Sequence, residues 1–209
     1  MTRKLISLVL CVILFLSFAS CSQPAGEGGT GLPSEEELAK AESAIGYDLD
    51  TTLKALGLSE EDITAMDANF PGVYDVNEPR EIDGLEYQER IYINSTTNGF
   101  ITFDFTYIAE DGEGFTEHVK SLYAQLEKAY GEPVEDTGLA KTGEWERFEN
   151  GVEDRWETMW DGIGGGETRL QMSVTNSQET CGMILMYSAP YLYEERMAES
   201  GCNSSSPAP

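Results

Sequence analysis

The chain has 209 residues, with 38 Asp and Glu against 13 Lys and Arg, and a formal net charge of −25. At 40% apolar and 10% aromatic residues it is too hydrophobic for wholesale disorder, and its length suits one domain with a real core. The acid excess argues against a nucleic-acid partner, because neutralising phosphates needs clustered Lys and Arg, and a single histidine excludes any His-rich metal site.

At the N-terminus, Arg3 and Lys4 precede an apolar run from Leu5 to Ala19, and the small residues Ala19 and Ser20 lead to Cys21. A positive start, an apolar middle and a small-residue exit are the parts of an export signal, here residues 1–20. The apolar run is shorter than the roughly 20 residues a spanning helix needs. Phe18-Ala19-Ser20-Cys21 resembles the lipobox of bacterial lipoproteins, with Phe18 where that family usually carries Leu. The resemblance implies cleavage before Cys21, acyl chains on its thiol, and a protein held on the extracytoplasmic face of the cell membrane. Each buried CH₂ contributes about 0.8 kcal/mol, so two or more chains hold a globular domain there without a spanning helix. Residues 21–32, rich in Gly, Ser and Pro, read as a flexible tether. Losing residues 1–20 removes Arg3 and Lys4 and no acid, taking the net charge from −25 to −27. An anionic surface repels such a domain, so the lipid must do the anchoring.

Residues 33–190 read as a single α+β domain. Ser34 followed by Glu35, Glu36 and Glu37 opens a helix that runs to about Ile45 and stops at Gly46. Asp50 to Leu58 is a second helical stretch, and Ser59-Glu60-Glu61-Asp62-Ile63 reads as a capped turn starting a third. These pieces form a short helical N-terminal lobe. From Gly72 the period changes to two: Leu85, Tyr87, Ile91 and Ile93 share one face, with Glu89 the one misfit. After a turn at 94–99, Ile101, Phe103, Phe105 and Tyr107 alternate with polar residues and complete a hairpin. Phe115, Val119, Leu122, Tyr123, Leu126 and Tyr130 then recur at helical spacing, with Thr116 as the expected cap and Gly131 and Pro133 as the stop.

Trp145–Glu149 and Val152–Trp160 read as strands around Asn150-Gly151, and Gly162–Gly166 as a flexible hairpin end. Leu170, Met172 and Val174 alternate in the next strand, and Met183–Met186 is apolar on both faces, as a central strand should be. Residues 191–209 are an acidic helical piece and then a Ser/Pro tail. The whole predicts an antiparallel sheet of about seven strands with helices mainly on one face. The two helix-then-strand halves, and the helix ending in Tyr130-Gly131-Glu132-Pro133, resemble the repeat of beta-lactamase-inhibitor-like lipoprotein domains. That resemblance implies a fold and nothing about activity.

No residue set reads as a catalytic constellation. His118, on the polar side of the main helix, reads as exposed, and no nucleophile elbow accompanies it. The acidic runs lack the ligand spacing of a calcium loop, and neither metal nor cofactor is expected. Trp145, Trp156 and Trp160 are the candidate ligand-binding residues, since aromatics offer rigid contact area to a protein or glycan; burial of at least one beneath the helix is the competing reading. Cys181 and Cys202, the cysteines left after Cys11 and Cys21, are candidates for one disulfide. The expectation is a non-catalytic binding module for a protein or cell-envelope ligand. The alternative is a hydrolase of envelope carbohydrate using paired carboxylates.

Overall fold

A computed structural model describes residues 30–93, 101–109, 114–136, 155–176 and 180–202. Helix α1 (Glu35–Ala44) begins in a capping box: the Glu37 N–H donates to Ser34 Oγ at 3.3 Å and the Ser34 N–H donates back to the Glu37 carboxylate at 2.8 Å. This satisfies two of the donors that every helix start leaves open. Helix α2 (Leu49–Leu56) is capped by Asp48 and ended by Gly57, whose φ of 77° is the left-handed conformation glycine tolerates. Where a third helix was expected there is only one 3₁₀ turn (Glu60–Asp62), and Ile63–Ala65 form strand β1. The β-branched Ile63 and Thr64 gain a partner in Val73–Val76 (β2), and that pairing outweighs a short helical preference.

Strands β3 (Arg80–Ile82) and β4 (Leu85–Tyr92) turn through Asp83-Gly84, both at positive φ. Next come β5 (Ile101–Ala109), helix α3 (Phe115–Tyr130), β6 (Glu135–Asp136), β7 (Arg155–Ile163), β8 (Thr168–Asn176), β9 (Cys181–Ser188) and helix α4 (Pro190–Cys202). All pairings are antiparallel, in the order β1-β2-β4-β5-β9-β8-β7-β6 among the described residues, with β3 paired to β4 beside this path. The fold is α+β, as the periodicity predicted. Each half of the chain runs from one edge to the centre, where the last strands of the two halves, β5 and β9, meet over most of their length. Trp145–Glu149 and the Asn150-Gly151 turn lie outside the described residues.

The core is built of rows that cross the sheet. Ile91, Phe103, Tyr187, Leu170 and Trp160 stand in register in one row; Glu89, Phe105, Leu185, Met172 and Thr158 form the next. Helix α3 lays Phe115, Val119, Leu122, Tyr123 and Leu126 on this face, all buried, each contributing about 2 kcal/mol. Its N-cap is Gly114 rather than Thr116, which lies one residue inside the helix. The glycine loop after β7 is seated on α1, not free: a Cβ on Gly164 would stand 2.9 Å from Leu38, and one on Gly166 would stand 2.4 Å from the Glu42 carboxylate. Thr168 Oγ1 donates to that carboxylate at 2.6 Å. Helix α4 is also part of the domain. Arg196 lies 4.7 Å over the Tyr47 ring and donates to the carbonyls of Ser43 and Ile45 at the end of α1, so the folded unit continues past residue 190.

Candidate ligand cleft

Two of the tryptophans, candidate ligand-binding residues by spacing, are not where the fold leaves an open site. Trp156 and Trp160 are 0% and 1% exposed, packed against Tyr123 of α3 at ring distances of 5.4 and 5.8 Å. The Trp160 indole N–H donates to the Gly131 carbonyl at 2.9 Å, tying β7 to the end of α3. Even spacing put both residues on one face of the strand, and that face is the one the helix covers. They are core, not a ligand platform; Trp145 lies outside the described residues. Cys21 does too, as does the side chain of Cys202. Cys181 is half-buried at the start of β9, its Sγ 3.0 Å from the Asn176 side-chain oxygen.

His118 is not exposed either, with 9% of its side chain accessible. The Tyr87 hydroxyl lies 2.6 Å from its Nε2, and its Nδ1 faces Asp83 at 3.3 Å. Gln125 donates to the other Asp83 oxygen at 2.5 Å. A neutral ring with the proton on Nδ1 satisfies both contacts, with the Tyr87 hydroxyl donating to Nε2. Burial holds His118 below the usual histidine range, partly countered by Asp83, and burial pushes the Tyr87 hydroxyl up. Tyr87 is 0% exposed, so no substrate meets it. The cluster fastens the β3–β4 turn onto α3.

On the helix-free face, Asp75, Arg90 and Asp104 lie side by side across β2, β4 and β5. Arg90 donates to Asp75 at 2.8 Å, and Asp104 accepts from Tyr92 at 2.5 Å and Thr106 at 3.3 Å. Burial raises the Asp104 carboxyl, although Tyr92 and Arg90 pull the other way. Each of these groups has its partners within the sheet, so this network reads as structural.

What remains is Glu89. It occupies a core-facing position of β4, directly beside Phe105 in register. The other polar member of its row, Thr158, is satisfied by donating to the Glu135 carbonyl at 2.9 Å. The Glu89 carboxylate has no hydrogen bond or ion pair among the described residues. Burial raises it above the usual carboxyl range, and Glu37 and Asp104 add to the rise while Arg80 opposes it. It faces a cavity of about 220 Å³ between the helical lobe and the sheet, walled by Leu56, Leu58 and Phe103, with Glu37, Lys40 and Arg80 around it. A second hollow of about 430 Å³ shares Leu58, Arg80 and Glu89 and opens past Glu61, Asp62 and Glu78.

Arg80 is not available to Glu89. Its Nε donates to the Gly31 carbonyl at 2.6 Å, and its two terminal nitrogens lie 3.0 and 3.4 Å from the Glu37 oxygens. Glu37 in turn accepts from the Ser34 N–H and Oγ at 2.8 and 2.9 Å. Burial works to raise Glu37, but the bonds from Arg80 and Ser34 outweigh it and hold the carboxyl below its usual range. Arg80 and Glu37 therefore neutralise each other and leave one uncompensated acid in the cleft. The alternation of β4 exposed this residue as a misfit; what the sequence did not show is that the α1–α2 lobe leaves a cavity over it. Among the described residues, no three His, Cys, Asp or Glu side chains group to hold a metal. Compared with known proteins, the chain matches no family model, no curated sequence and no solved structure.

Proposed function

We propose that the chain is a lipid-anchored, non-catalytic binding module of the extracytoplasmic membrane face that takes its ligand in the cleft over Glu89. The anchor rests on the lipobox-like segment ending at Cys21 and the polar spacer behind it. The observation that carries the cleft is the unpartnered Glu89 carboxylate in a row whose other polar member, Thr158, is satisfied. A polar group left unpaired at a half-buried site costs about 1–3 kcal/mol, which a fold with no use for it avoids by placing Leu or Val there. Clefts with apolar walls and a few converging polar groups are where ligands bind.

The hydrolase reading has one point in its favour: Glu37 and Glu89 line one cavity and are pushed in opposite directions, as an acid and base pair would be. Binding is favoured over it because both Glu37 oxygens are already held by Ser34 and Arg80, so Glu37 is not free to serve as the base or nucleophile. A ligand screen by saturation-transfer NMR on the full chain tests the proposal, with Leu58→Trp as the filled-cleft control. Hits that vanish in Leu58→Trp support it; hits that persist place binding elsewhere. Release of cell-wall sugars by the wild type but not by Glu89→Gln would establish the hydrolase instead. Intact-mass analysis of the membrane fraction tests the anchor, which requires a lipid-bearing N-terminal Cys21.

A further inference from the structure

The cleft is uneven in charge in a way that selects its occupant. Arg80 is cancelled by Glu37 and turned toward Gly31, with its guanidinium 5.3 Å over the Phe105 ring. Lys40 at the rim is paired with Glu36 at 2.7 Å. Glu89 is left as the one acid without a counter-charge, beside an apolar wall of Leu56, Leu58 and Phe103. The hollow that opens outward from it carries Glu61 and Glu78 and no further basic residue than Arg80. A negatively charged ligand would meet repulsion along this path, and a neutral apolar one would bury Glu89 still deeper without pairing it.

Building on the cleft reading above, we infer that the occupant is a primary ammonium on an aliphatic stem: the ammonium pairs with Glu89, and the stem lies against Leu56, Leu58 and Phe103. A cavity of about 220 Å³ has room for a group the size of a lysine side chain. The acidic hollow outside draws the cation in, as like-signed clefts do. Two sources present this chemistry, a free diamine and the lysine side chain of an envelope peptide, and a lysine in a peptide must also fit its backbone into the outer hollow.

Calorimetric titration of the full chain in mild detergent tests this with four probes: 1,5-diaminopentane, 1,5-pentanediol, glutarate and capped Ala-Lys-Ala. At least one amine is expected to bind tenfold or more tightly than pentanediol and glutarate. Glu89→Gln should lose that tenfold preference while Glu86→Gln, on the exposed side of the same strand, keeps it. A free-diamine ligand shows as diaminopentane exceeding the peptide; a peptide ligand shows the reverse. Pentanediol binding as well as diaminopentane would overturn the ammonium class while leaving the cleft in place. No binding by any probe, with Leu58→Trp indistinguishable from wild type, would overturn the ammonium inference and the cleft reading together. Thermal melts of Glu89→Gln accompany the titration, and Leu58→Trp supplies a second way to lose binding if Glu89→Gln folds poorly.

Discussion

Three neighbouring glycines in the β7–β8 loop give a built-in comparison for how the helical lobe is seated. Gly164 and Gly165 both hold positive φ, 65° and 76°, so alanine at either position bears the left-handed penalty of about 1–2 kcal/mol. They differ in surroundings. A Cβ on Gly165 meets nothing within 4 Å, whereas on Gly164 it stands 2.9 Å from Leu38 Cδ1, and Leu38 is 2% exposed with no room to retreat. Overpacking of that kind adds about 1–3 kcal/mol, so Gly164→Ala should destabilise by about 3 kcal/mol against about 1 for Gly165→Ala. Gly166→Ala pushes on the Glu42 carboxylate instead and loses the Thr168 hydrogen bond, about 1 kcal/mol. Urea denaturation midpoints, with unchanged slopes, measure all three. In the double variant Leu38→Ala/Gly164→Ala, the smaller side chain relieves the clash, so the double should cost less than the two singles combined. Equal costs for Gly164→Ala and Gly165→Ala would refute the seating of the loop on α1, and with it the wall that carries Glu37.

Other outcomes follow from the buried groups. His118 is held below the usual histidine range by burial, so the unfolded chain takes up its proton first. Stability present above the unfolded value, about 6.5, is lost as pH falls through it toward the lower folded value. Guanidinium midpoints at pH 7.5 and 5.5 should therefore fall further for wild type than for His118→Gln, and parallel falls would contradict the buried neutral ring. Trp160→Phe should lose about 1 kcal/mol with the hydrogen bond to Gly131, plus a smaller packing loss, while amine binding in the calorimeter stays unchanged. Lost binding without lost stability would return the tryptophan to the ligand site.

Much of this fold was legible in the chain. The stripe Phe115, Val119, Leu122, Tyr123 and Leu126 is the helix that covers the sheet, and the alternation around Phe103, Phe105, Leu170 and Met172 gives strands with the expected face inward. Local signals erred where a distant partner decided the outcome. Ile63 and Thr64 became a strand because β2 pairs with them, and the glycine loop is seated because α1 happens to lie against it. The dipeptide Asp83-Gly84 is itself a hairpin signal, and it is the turn that brings an acid to His118. The tryptophans misled for a physical reason: spacing reveals that side chains share a face, not which face another element covers. Glu89 is the converse case, since a break in the pattern was visible while the cavity that gives it meaning needs α1 and α2 in place.

The central claim is that Glu89 is kept for a ligand at the expense of the fold. Denaturant unfolding of Glu89→Leu tests it most directly, with Glu86→Gln correcting for the charge removed. A leucine beside Phe105 should raise stability by about 1 kcal/mol or more, since an unpaired acid is replaced by apolar contact. A clear loss of stability would show instead that the carboxylate holds the structure together.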